Sequence, residues 1–555
     1  MKITMAQLNY TVGDIVGNTN KIMKVIEDNY RTSDIIVFSE LALVGYPPLD
    51  LIERPGFLEQ QNFYLNQIAK TTEFEDFAIV IGIFEKNNSG VGKPFYNSLA
   101  FCYNGKVQYI YRKILLPTFN IFDEDRYFEP GKLVGFHKYK GKKIGFLICE
   151  DAWNTSQTLY SFDPVSELFK YSPDFVISIN ASPSEVNKQV KRYKIFSNIS
   201  KKYNATIFYC NQVGTNDDIS FDGSSFLVEN GKLTYVCDSF FEETVTINPE
   251  NKVNLLDRKE TRSDFDIKYE FIYNQLLQGI RDYIYKCGFK KAVVASSGGV
   301  DSALVLALAV EAIGKENVVA ITMPSEISST GSVTDSETLC NNLGIKLYSY
   351  PIKDNLKMLV SGFKDSFDGL NKSVTKENMQ ARIRGMILMA FSNEFNYIAL
   401  GTGNKSEFAV GYCTLGGDMM NVLSVIGDLY KTEVWDLCRY INKRNNKEII
   451  PEVIINKEPS AELYEGQKDT NQLPPYELLD AILIKTIERE NIDWKTLDEC
   501  NEIIKKYKFN DFNKIYSMID KSEFKRRMAA PTIRVHSVAW GAGRRIPIVQ
   551  KFNNI

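Results

Sequence analysis

The run SSGGVDS, residues 296–302, follows the apolar stretch AVVA and precedes ALVLALAVEAIG. A strand, a glycine turn and a helix in that order make a cradle for an anion. The glycines let backbone amides approach a phosphate, and the helix amino terminus adds partial positive charge. The helix is expected to open at Ala303. Asp301 would repel bare phosphate in such a cradle and makes electrostatic sense as a Mg2+ ligand. No GxxxxGKS or GxxxxGKT run occurs, so this is not the lysine-tipped loop of phosphoryl-transfer enzymes. A second reactive group is Cys149, which closes a β-run in IGFLICEDAW. A single cysteine is more often a small buried hydrophobe, and Cys102, Cys210 and Cys438 are read that way. Cys149 differs in ending a strand beside polar residues, where a nucleophile meets a cleft. Two further segments give it company. IIVFSELALVGYPPLD (35–50) sets Glu40 at a strand end, and YRKILLPTFNIFDEDRYFEPG (111–131) sets Lys113 just ahead of a turn.

Two different scaffolds must hold these groups. Up to about residue 246 the chain alternates short β-rich runs with polar connections: KITMAQLNY, DIIVFSE, FAIVIGIFE, SLAFCYNG, VQYIYRKILL, KKIGFLICE, DFVISINAS, ATIFYCNQV and SSFLVEN. Several are continuously apolar, which suits strands covered on both faces by helices. Helical patterns lie at 18–30 and 188–203. The stretch 247–264, rich in Pro, Asn and charge, reads as a linker between domains 1–246 and 265–555. Beyond it, strands alternate with longer helices, the βαβ pattern of a doubly wound parallel sheet. With 555 residues the chain has length for two large units. Its 44% hydrophobic and 24% charged residues exclude a mainly disordered or collagen-like chain. A net charge of −3 supplies no general attraction for nucleic acid. The longest apolar run found, ALVLALAV at 303–310, is far short of the ~20 residues that span a bilayer. The opening MKITMAQLNY reads as a strand, not a signal peptide. Nine cysteines without a CxxC pair read as reduced thiols of a cytoplasmic protein. Only two histidines are present, His137 and His536, so a histidine base is hard to build.

SGGxDS between strand and helix resembles the PP-loop ATP pyrophosphatases, which adenylate an oxygen and release pyrophosphate. MPSEISSTGSVTDS (323–336), ENMQARIRG (377–385), GTGNKSEFAVGYCTLGGD (401–418), DLYKTEVW (428–435), EPSAEL (458–463) and LPPYELLD (473–480) resemble the NAD synthetases, in that family's order. The resemblance implies ATP at Ala295, Ser296, Ser297, Gly298, Gly299, Val300, Asp301, Ser302 and Thr402. It implies deamido-NAD+ near Asn378, Glu407 and Lys525. Beside it, physical roles suggest themselves. Asp301 and Glu407 would share Mg2+ with the triphosphate, Lys431 and Arg382 would neutralise phosphate, and Lys525 is a mobile cation suited to a lid. For lone charges of this kind, and above all for the Lys525–Arg526–Arg527 run, a solvated surface is the competing reading.

The segments around Glu40, Lys113 and Cys149 resemble the nitrilase (carbon–nitrogen hydrolase) superfamily, whose catalytic set these three match. A carboxylate then serves as base to the thiol and later to water, while the ammonium favours thiolate and stabilises a developing oxyanion. Glu124 is a candidate second carboxylate. The resemblance also implies a glutamine pocket with Phe119, Ser182 and Lys188. Phe119 stands where the family usually has tyrosine, and Ser184 and Asn187 where it has an aromatic and a glycine.

Fusion of the two modules is the arrangement of the glutamine-dependent members of the NAD synthetase family. It implies an α/β protein: an amino-terminal αββα nitrilase-like sandwich and a carboxyl-terminal doubly wound PP-loop ATP pyrophosphatase domain. The implied reaction amidates deamido-NAD+ to NAD+ through an adenylate, with ammonia from L-glutamine, ATP as substrate and Mg2+ as cofactor. A cytoplasmic homo-oligomer with an internal ammonia passage, and no nucleic-acid or membrane partner, completes the expectation. Two rivals are another PP-loop amidotransferase and a nucleotide-binding regulatory protein that has lost catalysis. The first would need a Cys–His–Glu site or an amino-terminal cysteine, and Met1 is followed by Lys2. The second sits poorly with Glu40, Lys113, Cys149, Asp301 and Glu407 all being present.

Overall fold

In the short strand IIV, Ile35 and Val37 face one hydrophobic layer and Ile36 the opposite one. That alternation, repeated along the chain, builds the amino-terminal unit. The computed structural model describes residues 1–154, 158–249, 262–363, 366 and 373–552, and the chain divides into units Met1–Thr261 and Arg262–Ile555. The first unit contains β1 (Ile3–Gln7), α1 (Ile15–Asn29), β2 (Ile35–Val37), α2 (Phe57–Lys70), β3 (Ala78–Lys86), β4 (Phe95–Tyr103), β5 (Lys106–Arg112) and α3 (Glu124–Tyr127). It continues through β6 (Gly135–Tyr139), β7 (Lys142–Ile148), α4 (Pro164–Phe169), β8 (Phe175–Asn180), α5 (Lys188–Tyr203), β9 (Thr206–Asn211), β10 (Val213–Asn216), β11 (Ile219–Asp222), β12 (Phe226–Glu229), β13 (Lys232–Val236) and β14 (Glu243–Ile247).

Two six-stranded sheets form, ordered β14-β1-β2-β3-β4-β5 and β13-β12-β9-β8-β7-β6, with β10 and β11 as a separate hairpin. In each large sheet three parallel strands are flanked by antiparallel ones. Met5, Val37, Val80, Phe146, Ile177 and Phe208 meet in the layer between the sheets. On one outer face Ile36, Ile79 and Ile81 pack on Ile22, Ile26 and Leu65 of α1 and α2. On the other, Leu147, Val176 and Tyr209 pack on Leu168 of α4 and Phe196 of α5. This is the expected αββα sandwich. Both expected helices form, α1 opening at Ile15 behind the Asp14 side chain, which accepts from the Gly17 N–H.

The second unit comprises α6 (Asp264–Lys286), β15 (Ala292–Ala295), α7 (Val300–Ile313), β16 (Val318–Thr322), α8 (Thr330–Leu343), β17 (Lys346–Ser349), α9 (Lys353–Gly362), α10 (Ser373–Phe395), β18 (Ile398–Gly401), α11 (Lys405–Val410) and β19 (Leu423–Ser424). The helices α12 (Lys431–Asn445), α13 (Glu452–Asn456), α14 (Tyr476–Ile487), α15 (Trp494–Lys506), α16 (Phe512–Lys521) and α17 (Glu523–Arg526) follow. Its sheet is wholly parallel, in the order β17-β16-β15-β18-β19. Connections from β15 lead one way to β16, while β18 continues the other way to β19. The switch point therefore lies between β15 and β18, where doubly wound sheets open a crevice at the strand carboxyl ends. One face of the sheet packs Val293 and Ile321 on Ile383 and Ile387 of α10. The helix α7 is buried on nearly every side, as its apolar sequence requires. It opens at Val300, not at the expected Ala303, so Asp301 and Ser302 belong to its first turn.

Of the expected linker 247–264, residues 250–261 lie outside the described residues; Ile247 closes β14, and the Ser263 side chain caps α6. Among the described residues no helix is long and apolar enough to cross a membrane. None of the nine cysteines forms a disulfide, and Cys287 is the exposed one.

Candidate active sites

In the first unit four elements deliver one cluster. β2 runs into the turn that carries Glu40, and β3 passes so close that a Cβ on Gly82 would stand 2.2 Å from the Leu41 nitrogen. Only glycine fits there. β5 ends at Arg112, and Lys113 is fixed next to it by its N–H donating to the Asn97 carbonyl (2.8 Å). Lys113 Nζ donates to Glu40 Oε1 (2.7 Å) and to both Glu124 oxygens (2.8 Å each). Asn97 Nδ2 donates to Glu40 Oε1 (2.8 Å), the Ala181 N–H donates to Oε2 (2.9 Å), and Tyr46 donates to Glu124 (2.8 Å). The Lys113, Glu40 and Glu124 side chains are 0%, 1% and 5% exposed. Burial alone would lower the Lys113 ammonium, but Glu124 and Glu40 more than offset it and hold it well above the ordinary lysine range. Burial and then Glu40 raise the Glu124 carboxyl against the pull of Lys113.

Cys149 follows β7 at φ +42° and opens the single turn Cys149–Ala152. A non-glycine residue in the left-handed region is a strained corner, typical of groups aimed at a reacting centre. Asp151 holds the corner. It accepts from the Ile114 and Leu115 N–H groups at Oδ1 and from Tyr111 OH and the Ile148 N–H at Oδ2, at 2.7–3.0 Å. One buried carboxyl thus ties the Cys149 turn to the segment carrying Lys113. Burial, reinforced by Glu40, pushes the Cys149 thiol well above its usual range, and Lys113 opposes this without prevailing. The expected bias of Lys113 toward thiolate is therefore outweighed.

Beside this cluster Glu150 is buried, raised by burial to about 7, and bonded by Tyr160 OH at 3.3 Å. Lys188 opens α5 with its Nζ 4.6 Å above the Trp153 ring. The Ser182 N–H donates to Asn211 Oδ1 (2.9 Å), one residue beyond the Ala181 amide that holds Glu40. Asn187 lies at φ +67°, a conformation asparagine tolerates better than most other side chains. Phe119 is 43% exposed, its ring edge-on to Phe122 at 5.8 Å. No described contact joins it to Cys149, Ser182 or Lys188.

In the second unit the 296–302 loop lies at the β15/β18 switch point. Gly298 has φ +73°, and a Cβ there would stand 2.3 Å from the Ser332 carbonyl. The Ser302 hydroxyl folds back to the Gly299 carbonyl (3.0 Å) and accepts from the Ser297 N–H (3.2 Å). The Ser296 N–H donates to the Ile321 carbonyl (2.8 Å), anchoring the loop to β16, while Ala295 ends β15. Val294 pairs with Leu400, so Thr402 leaves β18 at the level where Ser296 leaves β15. Asp301 accepts from Lys431 Nζ (2.5 Å) and from Asn404 Nδ2 (2.9 Å). Glu407 Oε1 lies 3.5 Å from the same Nζ. The Asp301 and Glu407 side chains are 19% and 18% exposed against 3% for Lys431. Burial and then Asp301 raise Glu407 to about 8 despite Lys431. Lys431, expected on phosphate, is held here by two carboxylates.

The loop at 411–418 gathers the remaining expected residues. Thr414 Oγ1 donates to Asn378 Oδ1 (2.9 Å), and Arg382 Nε donates to the Leu415 carbonyl (3.1 Å) rather than awaiting phosphate. Lys525 Nζ donates to the Gly411 and Cys413 carbonyls (2.7 Å each), docked rather than free. The surface reading of the basic run fails at Arg526, which is buried and donates to the Phe408 and Ala409 carbonyls. The sequence reading assigns no role to Asn97, Glu150, Asp151 or Asn404. Asn404 had a signal, since NKSE has the spacing of a helix capping box. Asn97, inside a strand, had none.

Comparison with known proteins agrees with both units. The carbon–nitrogen hydrolase family model matches residues 2–250 and the NAD synthase model residues 272–529. A glutamine-dependent NAD+ synthetase of Synechocystis is 40% identical over 99% of each chain, and one of Thermotoga maritima is 38% identical over 100% of this chain and 99% of its own. The solved structure of the Acinetobacter baumannii glutamine-dependent NAD+ synthetase with ADP is 34% identical, covers 99% of this chain and 98% of its own, and superposes with a TM-score of 0.76. The chain belongs to the family of glutamine-dependent NAD+ synthetases.

Proposed function

We propose that this chain amidates deamido-NAD+ to NAD+, using ATP and ammonia freed from L-glutamine, and releases AMP and pyrophosphate. The observation that carries this reading is the presence, in one chain, of a thiol beside a buried Glu40–Lys113–Glu124 cluster and a phosphate loop beside Asp301, Glu407 and Lys431.

In the first unit Glu40 takes the Cys149 proton as sulfur attacks the glutamine amide carbon, and the same proton leaves with ammonia. Lys113 offsets the oxyanion charge, and Glu40 then activates water against the thioester. Glu124 holds Lys113 so that its ammonium stays charged through both steps. Ser182 and Lys188 hold the glutamine, Lys188 as the cation for its carboxylate. Glu150, close to both Cys149 and Lys188, suits the ammonium end. Phe119 closes the mouth as an apolar ring.

In the second unit Ala295, Ser296, Ser297, Gly298, Gly299, Val300, Asp301, Ser302 and Thr402 bind ATP, the loop amides and the α7 amino terminus facing its phosphates. Asn378, Glu407 and Lys525 bind deamido-NAD+. The donor set fits Mg2+, because two hard carboxyl groups at a partly open mouth suit an ion that completes its shell with phosphate oxygens, and a cation there would take the place of the proton that Glu407 otherwise keeps. Held by Asp301 and Glu407, Mg2+ would neutralise charge as the α-phosphate is transferred. The nicotinate carboxylate attacks the α-phosphorus, pyrophosphate leaves, and ammonia displaces AMP from the adenylate. The reading includes a homo-oligomer in the cytoplasm, a compartment in keeping with nine cysteines that form no disulfide.

The deciding experiment supplies ATP, Mg2+ and deamido-NAD+ with either glutamine or ammonium and measures NAD+. Formation with both donors is expected. Absence of NAD+ with ammonium would overturn the reading.

A further inference from the structure

Asn404 is fully buried between the two carboxylates assigned to the phosphate site, and its side-chain oxygen, side-chain nitrogen and backbone N–H are each hydrogen-bonded to them or their backbone. Its Oδ1 accepts from the Glu407 N–H (2.9 Å), and its own N–H donates to Glu407 Oε2 (3.1 Å), a reciprocal cap on α11. Its Nδ2 donates to Asp301 Oδ1 (2.9 Å). The amide orientation is forced: Oδ1 must face the backbone donor, so the NH2 must face the carboxylate. The base beneath is rigid. The next residue, Lys405, is buried between Asp428 (2.8 Å), Glu488 (2.7 Å) and the Val538 carbonyl (2.7 Å). We propose that Asn404 is a positioning residue of the synthetase reaction, its amide setting the spacing and rotation of the Asp301 and Glu407 carboxylates toward the nucleotide phosphates.

The inference rests on the assignment of Asp301 and Glu407 to the phosphate site. It goes beyond that assignment because capping alone does not require asparagine. Serine and aspartate cap helices about as well. What only asparagine adds is a donor aimed at Asp301. With Lys431 on Oδ2 and Asn404 on Oδ1, that carboxylate is gripped at both oxygens and cannot rotate. Removing one grip frees it. Replacing the donor by a second carboxylate drives it away. Misplacement of a charge-carrying group lowers the rate of the chemical step more than it lowers affinity.

The test compares Asn404→Ser and Asn404→Asp in the full chain. Both keep the cap; Asn404→Ser should unfold within about 2 °C of the parent, whereas Asn404→Asp, which buries a further carboxylate beside Asp301, should unfold lower. In Asn404→Ser, kcat for ammonium-driven NAD+ formation should fall roughly 10- to 100-fold, with KM for ATP and deamido-NAD+ changed less than about twofold. Asn404→Asp should fall further. A readout independent of turnover is Mn2+ titrated with a non-hydrolysable ATP analogue and followed by the free-ion electron spin resonance signal. Half-saturation should need several-fold more Mn2+ in Asn404→Ser than in the parent. If both variants keep more than half of the parental kcat, or if Mn2+ binds Asn404→Ser as tightly as the parent, the positioning role is wrong. If Asp301→Ala still synthesises NAD+ from ammonium while the Asn404 variants do not, the assignment of Asp301 is at fault instead.

Discussion

Each unit places one buried lysine among carboxylates, yet the two clusters are finished differently. Around Lys113 the protein supplies a donor to every carboxylate oxygen of Glu40 and Glu124, and neither side chain is more than 5% exposed. Around Lys431 the carboxylates are about one-fifth exposed, and Glu407 is pushed up to about 8. The first cluster is closed to water, in keeping with the proposed task of moving one proton on and off a neighbouring thiol. The second holds two carboxyl groups beside one lysine at an accessible face, which suits the proposed meeting with a polyanion through a cation. A buried lysine among carboxylates therefore does not by itself say which chemistry it serves. The exposure of the carboxylates does.

The largest expected effects separate the clusters by reaction. Asp301→Ala should abolish NAD+ formation with either nitrogen donor, whereas Cys149→Ala should abolish it with glutamine and leave it intact with ammonium. Glutamine-driven synthesis by Cys149→Ala near the parental rate would remove the thiol from the mechanism.

Stability should separate them next. Lys113→Met strands two fully buried carboxylates and should cost its unit about 3–5 kcal/mol. Lys431→Met leaves carboxylates that water reaches, and should cost no more than about 2 kcal/mol. Urea unfolding of each variant measures this, and equal losses would break the contrast.

A smaller effect belongs to Glu150. Burial raises its carboxyl from 4.5 to about 7, so the folded unit binds a proton between those values that the unfolded chain releases. Its contribution is full below the lower value and is lost as pH rises through the upper one, by at most roughly 3 kcal/mol. Glu150→Gln should flatten that part of the stability–pH curve and unfold at higher urea than the parent near pH ~8. An unchanged slope would mean that Glu150 is already ionised in the folded unit.

The smallest is Phe119→Tyr. If the phenol's missing hydroxyl leaves one glutamine hydrogen bond unmade, worth about 0.5–1.5 kcal/mol, restoring it should lower the glutamine KM by roughly 2- to 12-fold. The KM for ammonium should not move. A raised glutamine KM would show that the exposed ring already fits its neighbours.

Much of this was legible in the sequence because strand ends and glycine turns leave local marks. Glu40, Lys113 and Cys149 each end or follow a β-run, and SSGGVDS carries its own turn chemistry. The expected start of α7 at Ala303 omits its first turn because Val300–Asp301–Ser302 looks like loop unless Gly299 is taken as its cap. β13 and β14 escaped notice because both are edge strands of mixed exposure. Asp151 and Asn97 act through partners about 40 and 60 residues away, so no local spacing announces them. Nor could sequence tell that burial and Glu40 would outweigh Lys113 at the thiol, since that balance depends on depth.

β1 lies inside its sheet between β2 and β14, pairing Ile3 with Ile35 on one side and with Ile247 on the other. The Gln7 side chain extends the link, donating to the Asp238 and Phe241 carbonyls. The last strand of the unit thus seals its first across some 240 residues of chain. Such long-range closure is slow, because loop entropy is lost before the pairing rewards it. A ribosome making this protein must expose β1 with one edge bare until the whole amidase unit has been translated, at about 5–20 residues per second. The interval, tens of seconds by that rate, is when this chain has most need of a chaperone.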